Sequence, residues 1–231
     1  MLVEQDRQDP RPARTAFCVS GTGRIFRAAV ECASSLGIEM ALLIAEQRAD
    51  ASLDEFCRAH GVPVVRLPAA PRKAIDELLS ATLLSRQLDL VCLTFDKLVP
   101  AKVVEKYGRR MLNLHMGLLP GTEGLHPLRR TLASGARFGG ATIHEVTNGT
   151  DAGPIVAQCI VGVLPDDTPA SLSARIYPLA RDLMLRTISW YAAGRVRYEA
   201  SNVVIDGVVY GAFPSSPAEE DPAGRDPAAL P

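Results

Sequence analysis

The chain has 231 residues, a formal net charge of −1 and 47% hydrophobic residues, which suits one domain with a substantial buried core. Its near-zero charge excludes a binder held to nucleic acid by a basic excess, and no run of about 18 apolar residues offers a membrane span. The opening MLVEQDRQDPRPAR lacks the apolar stretch of a signal peptide. Cys18, Cys32, Cys57, Cys92 and Cys159 are odd in number and form no C-x-x-C, so they read as the reduced thiols of a cytoplasmic protein.

Residues 1–13 are polar and Pro-containing, and are expected to be a flexible arm before one folded domain at 14–212. Within it, strands and helices alternate. A buried strand is expected over Thr15–Ser20, a Gly-rich turn at GTGR and a helix over Ile25–Leu36. A strand over Glu39–Ala45, a helix over Leu53–His60 and a short strand over Pro63–Leu67 follow. Then come a helix over Lys73–Arg86, a strand over Leu88–Phe95, a helix near Pro100–Tyr107 and the strand MLNLH from Met111. This alternation implies right-handed βαβ crossovers and an α/β fold with a doubly wound, mainly parallel, Rossmann-like sheet. Ligands of such sheets sit beyond the carboxyl ends of the strands.

Further on, a helix near Pro127–Leu132 precedes strands over Ala141–Val146 and Ile155–Val163, joined by the long loop TNGTDAGP. A long helix over Pro169–Ala192 and a hairpin turning on Asp206-Gly207 complete the domain. The tail, 213–231, is too rich in proline and too poor in apolar residues to fold, and is expected to be disordered.

Asn113 and His115 stand two residues apart at the end of a strand, so both point to one face. Such residues are either polar groups satisfied by the backbone or a catalytic pair, the histidine handling a proton and the amide donating to an oxyanion. The residue types alone leave both readings open. Asp151 by itself is an ordinary turn residue, but its long loop can bring a carboxylate to the rim where His115 sits. A carboxylate beside an imidazole favours the charged ring and orients it. His144, alone on its strand face, reads as structural. The turn SGTGRIF offers backbone N–H groups to a small anion, with Arg24 beside them. It does not complete a dinucleotide fingerprint, because Ala28 and Ala29 stand where the third glycine belongs. No metal-ligand spacing, G-x-S-x-G or H-E-x-x-H motif is present, so neither a metal nor a serine nucleophile is expected.

The segments LNLHMGLLPGTEGLHPLRRTLASG, GGATIHEVTNGTDAGPIVAQ and ISWYAAGRV resemble the folate-dependent formyltransferase family, from about Thr15 to Gly211. The nearest pattern within that family is glycinamide ribonucleotide (GAR) formyltransferase. The resemblance implies Asn113, His115 and Asp151 as catalytic set and 10-formyltetrahydrofolate as formyl donor and co-substrate. It implies a donor pocket of Phe95, Asp96, Lys97, Leu98 and Val99 with Thr147, Asn148, Gly149 and Thr150. On the acceptor side it implies Gly21, Thr22, Gly23, Arg24, Met116 and Arg181. There the chain departs from the family pattern. Arg24 and Ile25 replace a serine and an asparagine, Met116 replaces a proline, and Leu179, Ala180 and Arg181 replace Gln-Glu-His.

The expectation is therefore N-formyl transfer to a small-molecule amine other than GAR, in specialised biosynthesis, by a monomer or homodimer. GAR itself and hydrolysis of 10-formyltetrahydrofolate are the alternatives. Hydrolases of this kind usually carry an N-terminal regulatory domain, and about fourteen residues precede the first strand here, which disfavours hydrolysis.

Overall fold

A computed structural model describes residues 11–200, 202–209 and 218–219. Strands β1 (Ala13–Val19), β2 (Ile38–Ala45), β3 (Val64–Arg66), β4 (Leu90–Thr94) and β5 (Met111–His115) run parallel. Helices α1 (Arg24–Glu31), α2 (Ser52–Ala59), α3 (Arg72–Leu84) and α4 (Ala101–Tyr107) lie between them. After α5 (Pro127–Ala133) the chain reverses: β6 (Phe138–Glu145) runs against β5, and β7 (Ile155–Gly162) against β6. The seven-stranded order is β3-β2-β1-β4-β5-β6-β7, mostly parallel as the alternation of elements implied.

Helices cover both faces of this sheet, which is why its central strands are apolar at successive positions. Phe17, Val19, Cys92 and Leu112 pack on one face with Ile25 and Phe26 of α1. Ala16, Cys18, Val91, Leu93 and Met111 pack on the other with α3 and α4. Helix α6 (Pro169–Ala192) joins the α1 face. Thr168 and Ser171 cap it reciprocally, and Leu172, Ile176, Ala180, Leu183, Met184, Ile188 and Trp190 line its buried stripe. Each large apolar chain in that stripe stabilises the fold by about 1.5–3 kcal/mol.

Three departures from expectation go beyond one or two residues at an element's end. Helix α1 stops at Glu31 rather than Leu36, since Ser35 Oγ bonds back to Cys32 O (2.8 Å) and the chain turns at Gly37 (φ 68). Strand β6 starts at Phe138, before Ala141: Gly139 and Gly140 are weak strand formers, yet pairing with Val161 and Ile160 holds them in the ladder. The C-terminal hairpin has a strand partner that was not expected. Strand β9 (Asn202–Ile205) pairs backwards with β8 (Val196–Glu199), through a turn where Ala200 has φ 55. Asp206-Gly207 does turn the chain, but into β10 (Val208–Val209), which pairs with β11 (Ala218–Glu219). Ala218–Glu219 falls within the segment 213–231 expected to be disordered. The rest of that tail, and residues 1–10 of the expected arm, lie outside the described residues, while Ala13 already belongs to the sheet. Among the described residues no helix is long and apolar enough to cross a membrane.

Candidate active site

Alternation along β5 decides which side chains meet. Met111 belongs to the α3/α4 face and Leu112 to the α1 face, so Asn113 and His115 project on the Met111 side. Antiparallel pairing then sets His144 of β6 opposite Asn113. Asn113 Nδ2 lies 3.1 Å from His144 Nε2, and His144 Nδ1 lies 2.9 Å from the Glu145 carbonyl. A carbonyl only accepts, so His144 carries its proton on Nδ1, and Nε2 receives the Asn113 N–H. Burial holds the His144 pKa below its ordinary value and keeps the ring neutral, against the opposing pull of the Glu145 carbonyl and Asp151.

His115 is buried, with Nε2 donating to the Thr122 carbonyl at 2.8 Å. Its Nδ1 faces Asp151 Oδ2 at 3.4 Å, and the other Asp151 oxygen lies 3.6 Å from His144 Nε2. Gly124 N–H donates to Asp151 Oδ2 at 2.8 Å. One carboxylate thus addresses both imidazoles. Nε2 holds the proton that goes to the Thr122 carbonyl, so Nδ1 can donate to an entering oxyanion only from the charged ring.

The loop between β6 and β7 is built to deliver Asp151. Asp151 itself has φ 50, a left-handed conformation disfavoured for a residue with a Cβ. Two residues on, a Cβ at Gly153 would stand 1.7 Å from the Glu145 carbonyl oxygen, so only glycine lets the loop close against β6. The loop after β5 is tied in turn: Thr142 Oγ1 donates to Gly117 O (2.7 Å) and accepts from Leu119 N (3.1 Å).

These groups open on a cavity of about 1040 Å³ over the strand ends. Residues 13–188 match the family described as formyl transferase. The chain belongs to the formyltransferase family. It is 32% identical over 213 residues to a chloroplastic phosphoribosylglycinamide formyltransferase of Arabidopsis thaliana, an alignment covering 87% of this chain and 73% of that one. With the phosphoribosylglycinamide formyltransferase of Mycobacterium tuberculosis it shares 33% identity, over 77% of this chain and 84% of the relative. Its fold is similar to that of glycinamide ribonucleotide transformylase 1 from Symbiobacterium toebii, with TM-score 0.77 and 32% identity over 84% of this chain and 94% of that one. This formyltransferase is accordingly an enzyme and a folate-dependent transferase, of a family that uses 10-formyltetrahydrofolate.

The formyltransferase cavity gathers most of the residues singled out from the sequence. Asn113, His115, Asp151, residues 95–99, residues 147–150, residues 21–24 and Met116 all line it. Arg181 is not among the lining residues, and its guanidinium is paired with Asp182 at 2.7 Å. The cavity also takes in His144, which the sequence suggested was structural, and Ser173 and Tyr177, which no sequence motif marked. The Arg24 guanidinium carbon lies 3.8 Å from the centre of the Tyr177 ring. Behind residues 95–99, Lys97 Nζ meets the buried carboxylate of Glu46 at 2.8 Å, and Asp96 N–H donates to Ser20 Oγ at 2.8 Å. Burial alone would raise the Glu46 pKa, but hydrogen bonds from Lys97 and Ser20 and the charges of Lys97 and Arg48 bring it below its ordinary value. Among the described residues no three His, Cys, Asp or Glu side chains are grouped to hold a metal ion.

Proposed function

We propose that this chain transfers the formyl group of 10-formyltetrahydrofolate to the amine of a small-molecule acceptor. The observation that carries this reading is the meeting of Asn113, His115, His144 and Asp151 at one end of the cavity. The neutral acceptor amine attacks the formyl carbon. Charge builds on the formyl oxygen and is stabilised by the free N–H of the Asn113 amide and by the imidazolium of His115. Asp151 holds that ring and takes the amine proton through water. The bond from the formyl carbon to the folate nitrogen then breaks, and that nitrogen regains a proton. Residues 95–99 and 147–150 are assigned to the donor, and residues 21–24 with Met116 to the acceptor.

The relatives named as phosphoribosylglycinamide formyltransferases support GAR as that acceptor more than they support the different amine suggested by the altered motifs. A different amine is kept as second reading on one observation, the stacking of Arg24 on Tyr177 at the turn after β1. We place the reaction in the cytoplasm, in a monomer or homodimer, in keeping with the free and mostly buried thiols. The test is to mix the protein with 10-formyltetrahydrofolate and GAR, other amines or no amine, and to follow tetrahydrofolate. Release that needs GAR supports the purine reaction, release that needs another amine the second reading, and release without any amine overturns transfer in favour of hydrolysis.

A further inference from the structure

Glu145 closes β6, and its carbonyl and its side chain serve opposite faces of the sheet. The carbonyl accepts from His144 Nδ1 at 2.9 Å, the bond that leaves Nε2 to receive the Asn113 amide. The side chain points the other way. Ile143 packs on the α1/α6 face, so alternation puts Glu145 on that face too and His144 on the opposite one. There the buried carboxyl meets two phenols: Tyr191 of α6 donates to Oε1 at 2.8 Å, and Tyr198 of β8 donates to the same oxygen. Tyr198 is covered in turn by Arg109, whose guanidinium carbon lies 3.7 Å from the ring centre.

A buried carboxyl is an unfavourable way to tie a helix to a sheet. Burial raises the Glu145 pKa, against the hydroxyls of Tyr198 and Tyr191 and the charge of Arg109. An apolar side chain of similar size would fill the site without that penalty. Burial also raises the pKa of Tyr191 and of Tyr198, and Glu145 adds to both shifts, so each hydroxyl keeps its proton and remains a donor. The grip falls at the end of the ladder. Register against β7 shifts between Ile143 and His144, and pairing with β5 ends at Leu112 and Glu145. Glu145 N–H then donates to Pro154 O at 2.9 Å, in the loop that carries Asp151.

We propose that Glu145 is a positioning residue for formyl transfer. Its carboxyl, gripped by Tyr191 and Tyr198, holds its own carbonyl against His144 Nδ1 and so keeps an Asn113 N–H turned toward the formyl oxygen. Without that grip the ring proton is free to move to Nε2, which Asp151 Oδ1 faces at 3.6 Å. Nε2–H then calls for the Asn113 carbonyl in place of its amide, and the flipped group presents a lone pair where a donor is needed. The inference rests on the transfer reading and adds to it a residue that is not among those lining the cavity.

Two measurements on the full chain test it. The first, without substrate, reads the His144 ring nitrogens by two-bond proton–nitrogen correlation NMR, assigned by their loss in His144→Gln. Wild type is expected to carry its proton on Nδ1. Glu145→Leu should move it to Nε2 or divide it between the two, whereas Glu145→Gln, whose amide oxygen still accepts from both phenols, should leave it in place. The second follows tetrahydrofolate release. Glu145→Leu is expected to lower kcat about ten- to a hundredfold, with donor and acceptor KM each within about twofold, and Glu145→Gln to restore most of it. Should Glu145→Leu not fold, the double variant Tyr191→Phe/Tyr198→Phe removes two hydroxyls and no carbon, and carries the same expectation. A proton that stays on Nδ1 in these variants, or a melting temperature that falls while kcat holds, overturns the proposal, and Glu145 then serves only to tie the C-terminal hairpin to the sheet. If wild type releases no tetrahydrofolate with any amine while the ring proton still moves in Glu145→Leu, the transfer reading fails and the hold on His144 stands.

Discussion

His144 and Asn113 face each other across β6 and β5, with the amide Nδ2 3.1 Å from the ring Nε2. Because Glu145 O fixes the ring proton on Nδ1, the ring has only a lone pair to offer the amide. The amide is thereby oriented with one N–H on His144 and the other left for the cavity. A residue read from the sequence as structural thus sets the direction of the donor beside it.

That neutral ring has a pH signature. Burial lowers the His144 pKa from the ordinary 6.5, so below that pH the unfolded chain binds the proton first. Stability due to His144 is complete above 6.5 and declines as pH falls through the native pKa. Glu145, whose pKa burial raises, acts with the opposite sign, and its contribution is lost as pH rises. His144→Gln should therefore remove only the histidine limb. Denaturant midpoints of wild type and variant, compared at about pH 7.5 and 5.5, check this. Parallel losses in the two proteins would refute it.

Asn113→Ala is expected to lower kcat by about 10²–10³-fold, the usual effect of losing one oxyanion donor. Asp151→Asn keeps the shape but loses the charge facing both rings, and a fall of about 10²–10⁴-fold is expected. Tetrahydrofolate release under saturating donor and acceptor measures both. Near-normal turnover in either variant removes that residue from the mechanism.

Glu46→Gln tests how the loop after β4 is held. The substitution keeps an oxygen that can accept from Lys97 but removes its charge, and a loss of about 1 kcal/mol is expected as a charge-assisted bond becomes a weaker one. The donor KM should rise while the acceptor KM does not, because the loop carrying Lys97 belongs to one side only. A change confined to the melting temperature would show Glu46 to serve the fold alone.

Gly153→Ala drives a methyl group into the Glu145 carbonyl oxygen, so the Asp151 loop must move. About 1–3 kcal/mol of stability should be lost, together with most of the activity. Gly162→Ala, where nothing lies within 4 Å of the added atom, is the control and should stay within about 0.5 kcal/mol.

Much of this fold is legible in the chain because β1, β2 and β4 are buried on both sides and read as unbroken apolar runs. Asn113 and His115 are legible through their spacing of two. Contacts set by pairing partners are not. Asp206-Gly207 has the composition of a hairpin turn, yet β9 pairs with the strand before it, and no local rule identifies that partner. His144 appeared isolated because its match to Asn113 is a matter of register between β5 and β6. Tyr177 is hidden for a similar reason. Helical periodicity reveals the stripe of α6 that enters the core, but not the turn of β1 that its flank will overhang. The departures at Arg24 and Met116 were visible at once, whereas the contact of Arg181 with Asp182 needed the side chains themselves.

The division of the cavity between the two faces of the sheet makes its halves separable by inheritance. Asn113 and His115 project with Met111 on the α3/α4 side, while Arg24 and Tyr177 sit among the α1 and α6 packing. Substitutions in the turn after β1 or on the flank of α6 reach the second group without shifting the first. Under the proposed assignment of residues 21–24 to the acceptor, a lineage with this architecture is free to exchange the molecule it modifies and still keep intact the machinery that modifies it.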